Sequence, residues 1–244
     1  MKVYTDFDSV ALAPIRELVA NMLRHLNGSS NLKDNISPWH GTTIAAFLVD
    51  NGKTIVTVSD GKVSDGQILY AASLDFPKVV EIDRSTVMLF AGAAGFAALY
   101  SRILKNWVET MERVREVRLS ARAKVNMLSR MLRESLPLAA SGFPVVAILA
   151  TFDERRGARI FLFTPDGSNV RRESYAILGS GKVGEGILLE RWHPDMKRNA
   201  GIKLAKRLIK ANSTNLDAAT GGRIFIKILD ENGVESVDGG KANE

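Results

Sequence analysis

The order of strand-like and helix-like segments constrains the fold of this chain more than any other feature of its sequence. Short β-rich runs, beginning at 42–50, are followed by two long helical stretches at 95–118 and 120–136. A second block of strands, two helical stretches at 182–192 and 197–212 and a last strand pair follow. Because strands come in blocks with few strand–helix–strand units, we expect an α+β fold of two mainly antiparallel sheets covered by helices.

A separate segment precedes the first strand. Residues 9–26 place apolar side chains three and four positions apart, which predicts an amphipathic helix. The polar run NGSSNLKDNISP that follows predicts a flexible linker. We therefore expect a removable leader at 1–41, a folded domain at 42–238 and a disordered tail at 239–244.

Composition excludes several functional classes. Cysteine is absent, which rules out disulfides, thiolate zinc sites and cysteine nucleophiles. The net charge of +6 is spread along helices beside acidic neighbours, so a solvated face is a better interpretation than a nucleic-acid site. No apolar run approaches the roughly 20 residues of a membrane-spanning helix. Asp6 and Asp8 stand where a secretory signal would carry positive charge, so we expect a cytoplasmic protein without membrane contact.

The motifs for metal and nucleotide binding are weak. His25, His40 and His193 do not have the spacing of metal ligands, so we expect no metal site. The run at 179–184 formally matches GxGxxG, but it lies late in the chain and no strand–helix–strand unit surrounds it. We expect no cofactor.

The junction Gly41-Thr42-Thr43 marks a sharp change of character, from the polar linker to a strand. A threonine hydroxyl is a poor nucleophile at neutral pH and needs an adjacent base. A chain that cuts itself before a threonine supplies that base, because the new α-amino group, with an ordinary pKa near 8, belongs to the nucleophile itself. Such chemistry also requires a buried lysine, held by a carboxylate, that lowers the pKa of the amine.

Six short segments, in this order, carry a resemblance to a known family: HGTTIAAF, VSDGKVS, PKVVEID, LFAGAAG, LGSG and DAATGG. From Gly41 to about Val237 the chain resembles the β subunits of the proteasome. The resemblance implies the Ntn-hydrolase fold, a four-layer αββα sandwich. It also implies a threonine-type endopeptidase that cleaves itself between Gly41 and Thr42.

The same resemblance implies a role for each matched residue. Thr42 is the nucleophile, Asp60 and Lys78 form the pair beside it, and the backbone N–H of Gly92 stabilises the oxyanion. The remaining polar positions are Ser180, Asp217 and Thr220 around the amine, and Ser64 beside the substrate. The side chains expected around the specificity pocket are Val63, Phe76, Val80, Phe90 and Ala94.

None of these five pocket residues is charged, so we expect cleavage after small or medium apolar residues, since an unpaired charge is costly to bury. Phe90 is bulkier than the residue that the family usually has there and should shorten the pocket. The alternative is that Phe90 packs between the sheets and leaves the pocket deep.

The resemblance further implies partners. These are other β subunits in a seven-membered ring, proteasome α subunits and an AAA-type unfolding ATPase, with protein substrates. Two alternatives stay open: an HslV-like hexameric threonine peptidase and a non-catalytic ring subunit of the same fold. The long leader and the DAATGG segment favour the proteasome, and the joint presence of Thr42, Asp60 and Lys78 favours a catalytic subunit.

Overall fold

A computed structural model describes residues 3–28, 39–40, 42–65, 71–154 and 156–242. The helices are α1 (Val3–Gly28), α2 (Ala94–Arg115), α3 (Ala121–Glu134), α4 (Leu136–Ala140), α5 (Glu185–Arg191) and α6 (Arg198–Ala211), with a 3₁₀ turn at Ser180–Gly184 and a π turn at Asn212–Leu216. The first strands are β1 (Trp39–His40), β2 (Ile44–Val49), β3 (Thr54–Asp60), β4 (Val63–Asp65), β5 (Ala71–Ser73), β6 (Val79–Asp83) and β7 (Thr86–Gly92). The later strands are β8 (Val145–Asp153), β9 (Gly157–Phe163), β10 (Asn169–Arg172), β11 (Tyr175–Leu178), β12 (Arg223–Asp230) and β13 (Gly233–Lys241).

The strands form two large sheets, as the block pattern predicts. One has the order β11-β2-β3-β12-β13 and the other has the order β10-β9-β8-β7-β6. All described pairings are antiparallel. A small third sheet, β1-β4-β5, lies beside them. The prediction of two mainly antiparallel sheets is confirmed.

The side chains of β2 point alternately to two different layers of the fold. Ala45, Phe47 and Val49 pack in one cluster with residues of α6, whereas Ile44 and Ala46 pack with residues of the second sheet. All six residues of β2 are buried, because one face meets a helix layer and the other face meets a sheet. Helices α1 to α4 pack on the outer side of the second sheet. The result is the expected αββα sandwich.

Helix α1 is longer than the predicted 9–26 and belongs to the helix layer. Leu12 and Ile15 are fully buried in the same cluster as residues of α2 and α3. Asp8 accepts a hydrogen bond from Trp107 Nε1 at 3.1 Å and pairs with Arg130 at 2.6 Å. None of the described helices is long and apolar enough to cross a membrane. The first two residues of the predicted linker at 27–38 belong to α1, and the rest of it lies outside the described residues.

The prediction of a disordered tail from 239 is wrong for its first residues. Strand β13 continues to Lys241, which pairs with Arg223, and Ala242 is buried. Gly239 owes its presence to packing, because a Cβ there would lie 2.2 Å from the carbonyl oxygen of Ile224. Glycine in this segment permits close approach of two strands, which composition alone does not distinguish from flexibility. Residues 243–244 lie outside the described part.

Candidate active site

Four strand ends meet at one edge of the sandwich and bring the predicted residues together. Thr42 lies two residues before the start of β2, Asp60 ends β3, Lys78 directly precedes β6 and Gly92 ends β7. Because β2 and β3 are antiparallel neighbours, with Ile44 opposite Ser59, the start of β2 lies beside the end of β3. The antiparallel topology thus gathers segments that are far apart in sequence.

Lys78 and Asp60 form a buried ion pair. Lys78 Nζ lies 2.8 Å from Asp60 Oδ1, and the two residues are 2% and 0% exposed. The Asp60 carboxylate also accepts hydrogen bonds from the backbone N–H groups of Thr43 at 2.9 Å, Gly221 at 3.0 Å and Lys62 at 3.1 Å. Lys78 Nζ donates a second hydrogen bond to the carbonyl oxygen of Lys62 at 2.5 Å.

Burial and pairing act in opposite directions on this ion pair. Burial raises the pKa of Asp60 and lowers the pKa of Lys78, while the charge of each partner opposes the shift of the other. The carboxylate has four donors around it, and hydrogen bonds to the charged form favour ionisation. We therefore treat the pair as ionised, with the Lys78 ammonium fixed beside Thr42.

A second set of polar side chains surrounds the nitrogen of Thr42. The residue Thr42 is 4% exposed. The Thr42 N–H donates to Ser180 Oγ at 3.1 Å, and Ser180 Oγ donates to Asp217 Oδ2 at 2.7 Å. Thr220 Oγ1 donates to the same carboxylate oxygen at 2.6 Å. The Thr42 carbonyl oxygen accepts from the N–H of Gly181 at 3.1 Å. All three polar residues predicted around the amine therefore lie in one network with Thr42 or its neighbours.

Two side chains of this network, those of Asn212 and Thr43, were not predicted from the sequence as part of the site. Asn212 is fully buried, and its Nδ2 donates to Thr43 Oγ1 at 3.0 Å and to the carbonyl oxygen of Gly181 at 2.7 Å. Thr43 Oγ1 also lies 2.6 Å from Thr220 Oγ1. Asn212 is 169 residues from Thr43, and its own sequence neighbourhood carries no signal beyond a polar residue after a helix.

Gly92 occupies a position that other residues fit poorly. Its φ is +102°, and a Cβ there would lie 2.1 Å from the carbonyl oxygen of Pro144. A small cavity of about 10 Å³ beside it is lined by Thr42, Val63, Lys78, Phe90, Ala91, Gly92 and Ala94. The predicted nucleophile Thr42, Lys78 and the predicted oxyanion donor Gly92 therefore line one cavity.

The predicted specificity pocket is brought together in part. Val63, Phe90 and Ala94 line the small cavity, and Phe90 is 2% exposed. Phe76 packs edge-to-face on Phe90, with ring centroids 6.3 Å apart, and lines an adjoining apolar cavity of about 660 Å³. Val80 instead packs against the core beneath the helix layer. Phe90 belongs to that core too, rather than to the core between the sheets, and it lines the cavity next to Thr42.

The end of the predicted leader lies along β4, the strand predicted to bind substrate. In the β1–β4 pair, Trp39 is opposite Asp65 and His40 is opposite Ser64. Ser64 is fully buried, and its Oγ has no hydrogen-bond partner among the described residues. Gly41, the predicted residue before the cut, lies outside the described part. An extended chain on its way to Thr42 therefore adds to the edge of β4.

Comparison with known proteins identifies the family. The family model described as proteasome subunit matches residues 39–229. The chain belongs to the proteasome family. It is 33% identical over 214 residues to the proteasome subunit beta of Acidimicrobium ferrooxidans, an alignment that covers 84% of this chain and 77% of that protein.

Two further relatives give the same picture. The proteasome subunit beta of Frankia casuarinae is 30% identical over 192 residues, which cover 78% of this chain and 68% of the relative. That of Acidothermus cellulolyticus is 30% identical over 207 residues, which cover 80% of this chain and 70% of the relative. The family match includes every strand from β1 to β11 and most of β12. The match therefore contains every residue of the candidate active site, from Thr42 to Gly221.

Proposed function

We propose that this chain is a catalytic β subunit of a proteasome core particle, with Thr42 as its nucleophile. The observation that carries the proposal is the position of Thr42 between two polar groups, the Lys78–Asp60 ion pair and the Ser180–Asp217 hydrogen bond. The relatives named proteasome subunit beta support the same conclusion. Threonine peptidase activity is the activity of this family.

Peptide hydrolysis proceeds through an acyl-enzyme. Thr42 Oγ attacks the substrate carbonyl carbon, and the Thr42 α-amine accepts the hydroxyl proton, directly or through a water. The amine then returns the proton to the leaving nitrogen as the peptide bond breaks, and water hydrolyses the resulting ester. The Lys78 ammonium lowers the pKa of this amine, since a nearby positive charge disfavours a second one. The backbone N–H of Gly92 stabilises the oxyanion, a contribution of roughly 3 kcal/mol for one donor.

Self-cleavage uses the same hydroxyl on a different bond. In the precursor, the Thr42 nitrogen is an amide nitrogen that donates a hydrogen bond to Ser180 Oγ. It cannot act as a base, because its lone pair is delocalised into the peptide bond with Gly41. Attack of Thr42 Oγ on the Gly41 carbonyl carbon forms an ester as the C–N bond breaks, and the hydroxyl proton passes through water to the departing Thr42 nitrogen. Water then hydrolyses the ester. Cutting this bond releases the leader 1–41 and creates the amine on which later turnovers depend.

Substrate binds where β1 lies in the precursor. An extended peptide adds to β4 through main-chain hydrogen bonds, the same mode by which Trp39 and His40 pair with Asp65 and Ser64. The cavity next to Thr42 is small and carries Phe90 at its wall. We therefore assign a preference for small or medium apolar residues on the acyl side of the cut.

Assembly follows from family membership. Proteasome subunits form rings together with α subunits, and we propose a ring of seven β subunits that works with an AAA-type ATPase in the cytoplasm. Enclosure in a chamber restricts which proteins reach Thr42. The leader keeps the nucleophile amide-blocked until assembly. Native mass spectrometry of the particle distinguishes seven subunits from the six of the HslV-like alternative.

The decisive experiment is the N-terminal sequence of the particle assembled with its α subunits. We expect Thr42 as the first residue and complete loss of 1–41. Thr42→Ala should retain the leader and show no peptidase activity, whereas Thr214→Ala, at an exposed threonine, should be processed normally. A fully active particle that keeps its leader would refute the mechanism, and an unprocessed, inactive one would indicate the non-catalytic alternative.

A further inference from the structure

A second polar cavity lies at the other end of the sandwich. It has a volume of about 490 Å³ and is formed by the β6–β7 turn, the start of α3, the β8–β9 hairpin and the β12–β13 turn. Thr86 at the start of β7 lines it, while Gly92 at the end of β7 lines the active site. Six residues at ~3.3 Å each separate the two, or about 20 Å. The proteolytic mechanism makes no use of this cavity.

Its floor consists of polar side chains from three neighbouring strands. Thr86 is opposite Thr151, and Thr151 is opposite Arg159, so the three lie in one row on one face of the sheet. Thr151 is 1% exposed and Arg159 is 7% exposed. Neither Thr151 Oγ1 nor Arg159 Nε has a hydrogen-bond partner among the described residues. Buried donors without acceptors are unfavourable, and a ligand that accepts from both would remove that penalty.

Lys124, which also lines this cavity, differs from Arg159 because its charge is paired. Lys124 is 2% exposed and forms an ion pair with Asp83 and hydrogen bonds with Ser85 and Thr86. Its charge is compensated within the chain. Arg159 has no ion-pair partner within 4 Å in the described part of the chain. Burial and the charges of Arg156 and Arg171 lower its pKa, and the charges of Asp153 and Glu173 only partly oppose that shift.

Helix α3 adds further donors. It begins in the cavity wall, its N-cap Ser120 accepts from the N–H of Ala123, and its first turn has no acidic side chain. The other N–H groups of a first turn lack partners within the helix and favour an anion.

Acidic residues line the cavity as well. Glu154 and Glu231 are exposed, and Asp153 and Asp230 are partly buried. Glu154 lies 4.0 Å from Arg118, and Asp230 lies 4.0 Å from Arg198. The donors that lack acceptors are therefore the more deeply buried groups, at the floor.

We propose that this cavity binds the phosphate group of a small molecule, with Arg159, Thr151 and the start of α3 as its donors. A phosphate offers several acceptor oxygens at once, which suits an arginine, a hydroxyl and backbone N–H groups together. The volume lies in the range of small-molecule sites, roughly 300–1,000 Å³, and exceeds the needs of a bare ion. A site so far from Thr42 stabilises or regulates the subunit rather than binding its peptide substrate.

The test uses the full-length Thr42→Ala chain, which stays uncut. Its melting temperature is measured with inorganic phosphate or AMP, up to about 50 mM, against chloride at equal ionic strength. At ten times the Kd, we expect a rise of ~3–6 °C for this chain length. Arg159→Met and the isosteric Thr151→Val should lose the rise. Arg172→Met is the matched control. Arg172 is exposed, and it is opposite Ile160, the residue next to Arg159. Since neighbouring residues of a strand point to opposite faces, Arg172 lies on the face away from the cavity floor.

A second readout reports on the proposed donor itself. The ¹⁵N resonance of Arg159 Nε, assigned by its loss in Arg159→Met, should shift on titration with either anion, and melting in chloride shows whether each variant folds. A larger effect of AMP than of inorganic phosphate would identify a phosphate-bearing metabolite, and equal effects would identify the free ion. The proposal is overturned if neither anion acts beyond chloride, or if all four chains respond alike.

Discussion

The buried pair of Lys78 and Asp60 offers a quantitative test, because each group is held in a charged state by the other. Lys78→Met leaves the fully buried Asp60 carboxylate with three backbone N–H donors and no countercharge. Breaking a buried pair costs 3–5 kcal/mol, and the remaining donors place this variant near ~3 kcal/mol. Asp60→Asn removes the carboxylate that pairs with the buried ammonium at 2.8 Å, so we expect ~5 kcal/mol, the upper end of that range.

The double variant Asp60→Asn/Lys78→Met buries no charge at all. Independent effects would add to ~8 kcal/mol, whereas we expect ~5 kcal/mol, which is a coupling energy of ~3 kcal/mol. The residual loss arises because an amide has one acceptor oxygen where the carboxylate has two, so at least one of the three backbone N–H groups loses its acceptor. Urea unfolding of the four chains, all carrying Thr42→Ala so that none is cut, gives the free energies of unfolding, provided that the slope m is unchanged.

A matched control is the pair of Lys227 and Glu81, which joins two strands at 3.5 Å but is 20% and 44% exposed. Its coupling energy should lie below ~1 kcal/mol, since solvent screens such pairs. If the cycle at Lys78 and Asp60 closes additively to within ~0.5 kcal/mol, the two groups do not stabilise each other's charge. The role assigned to Lys78 as a fixed ammonium would then be wrong.

Two further predictions concern the processed particle. Phe90→Ala should raise the rate of cleavage after Phe or Tyr more than after Ala or Val, because it widens the cavity beside Thr42. A panel of fluorogenic peptides that differ only at this position measures the effect. Equal changes for all peptides would contradict a narrowing role of Phe90. The pH profile of kcat/KM should fall on its alkaline side below 10.5, since burial lowers the pKa of Lys78 from that value and its charge is lost as pH rises through the folded pKa. A profile that is flat up to 10.5, with activity recovered on return to neutral pH, would show that the ammonium is not required.

The features that the sequence predicts correctly are those encoded in short, contiguous stretches of residues. The block order of strands and helices predicts the two antiparallel sheets, and short motifs predict that Thr42, Asp60, Lys78 and Gly92 belong together. These motifs are contiguous, and each stands at a strand end, so pattern and position coincide. The roles of the site residues stay predictions until activity is measured.

What the sequence does not predict depends on contacts between distant residues. The bonds of Asn212 to Thr43 and Gly181 arise only after two turns pack together, and no periodicity encodes them. The pairing of His40 with Ser64 is a two-residue strand, too short for any alternation to indicate it. The error at the tail has the same origin, because Gly239 contacts Ile224 on the neighbouring strand.

The anchoring of Thr43 has a consequence for what happens after the cut. New chain ends ordinarily fray, because the first residues have few contacts. Here the N–H of Thr43 is bonded to Asp60, its hydroxyl is bonded to Asn212, and the carbonyl oxygen of Thr42 is bonded to Gly181. Loss of the preceding peptide therefore removes none of the contacts that position the second residue. We therefore expect the terminus made by the predicted cut to be ordered before its first substrate binds, with little further loss of entropy between maturation and catalysis.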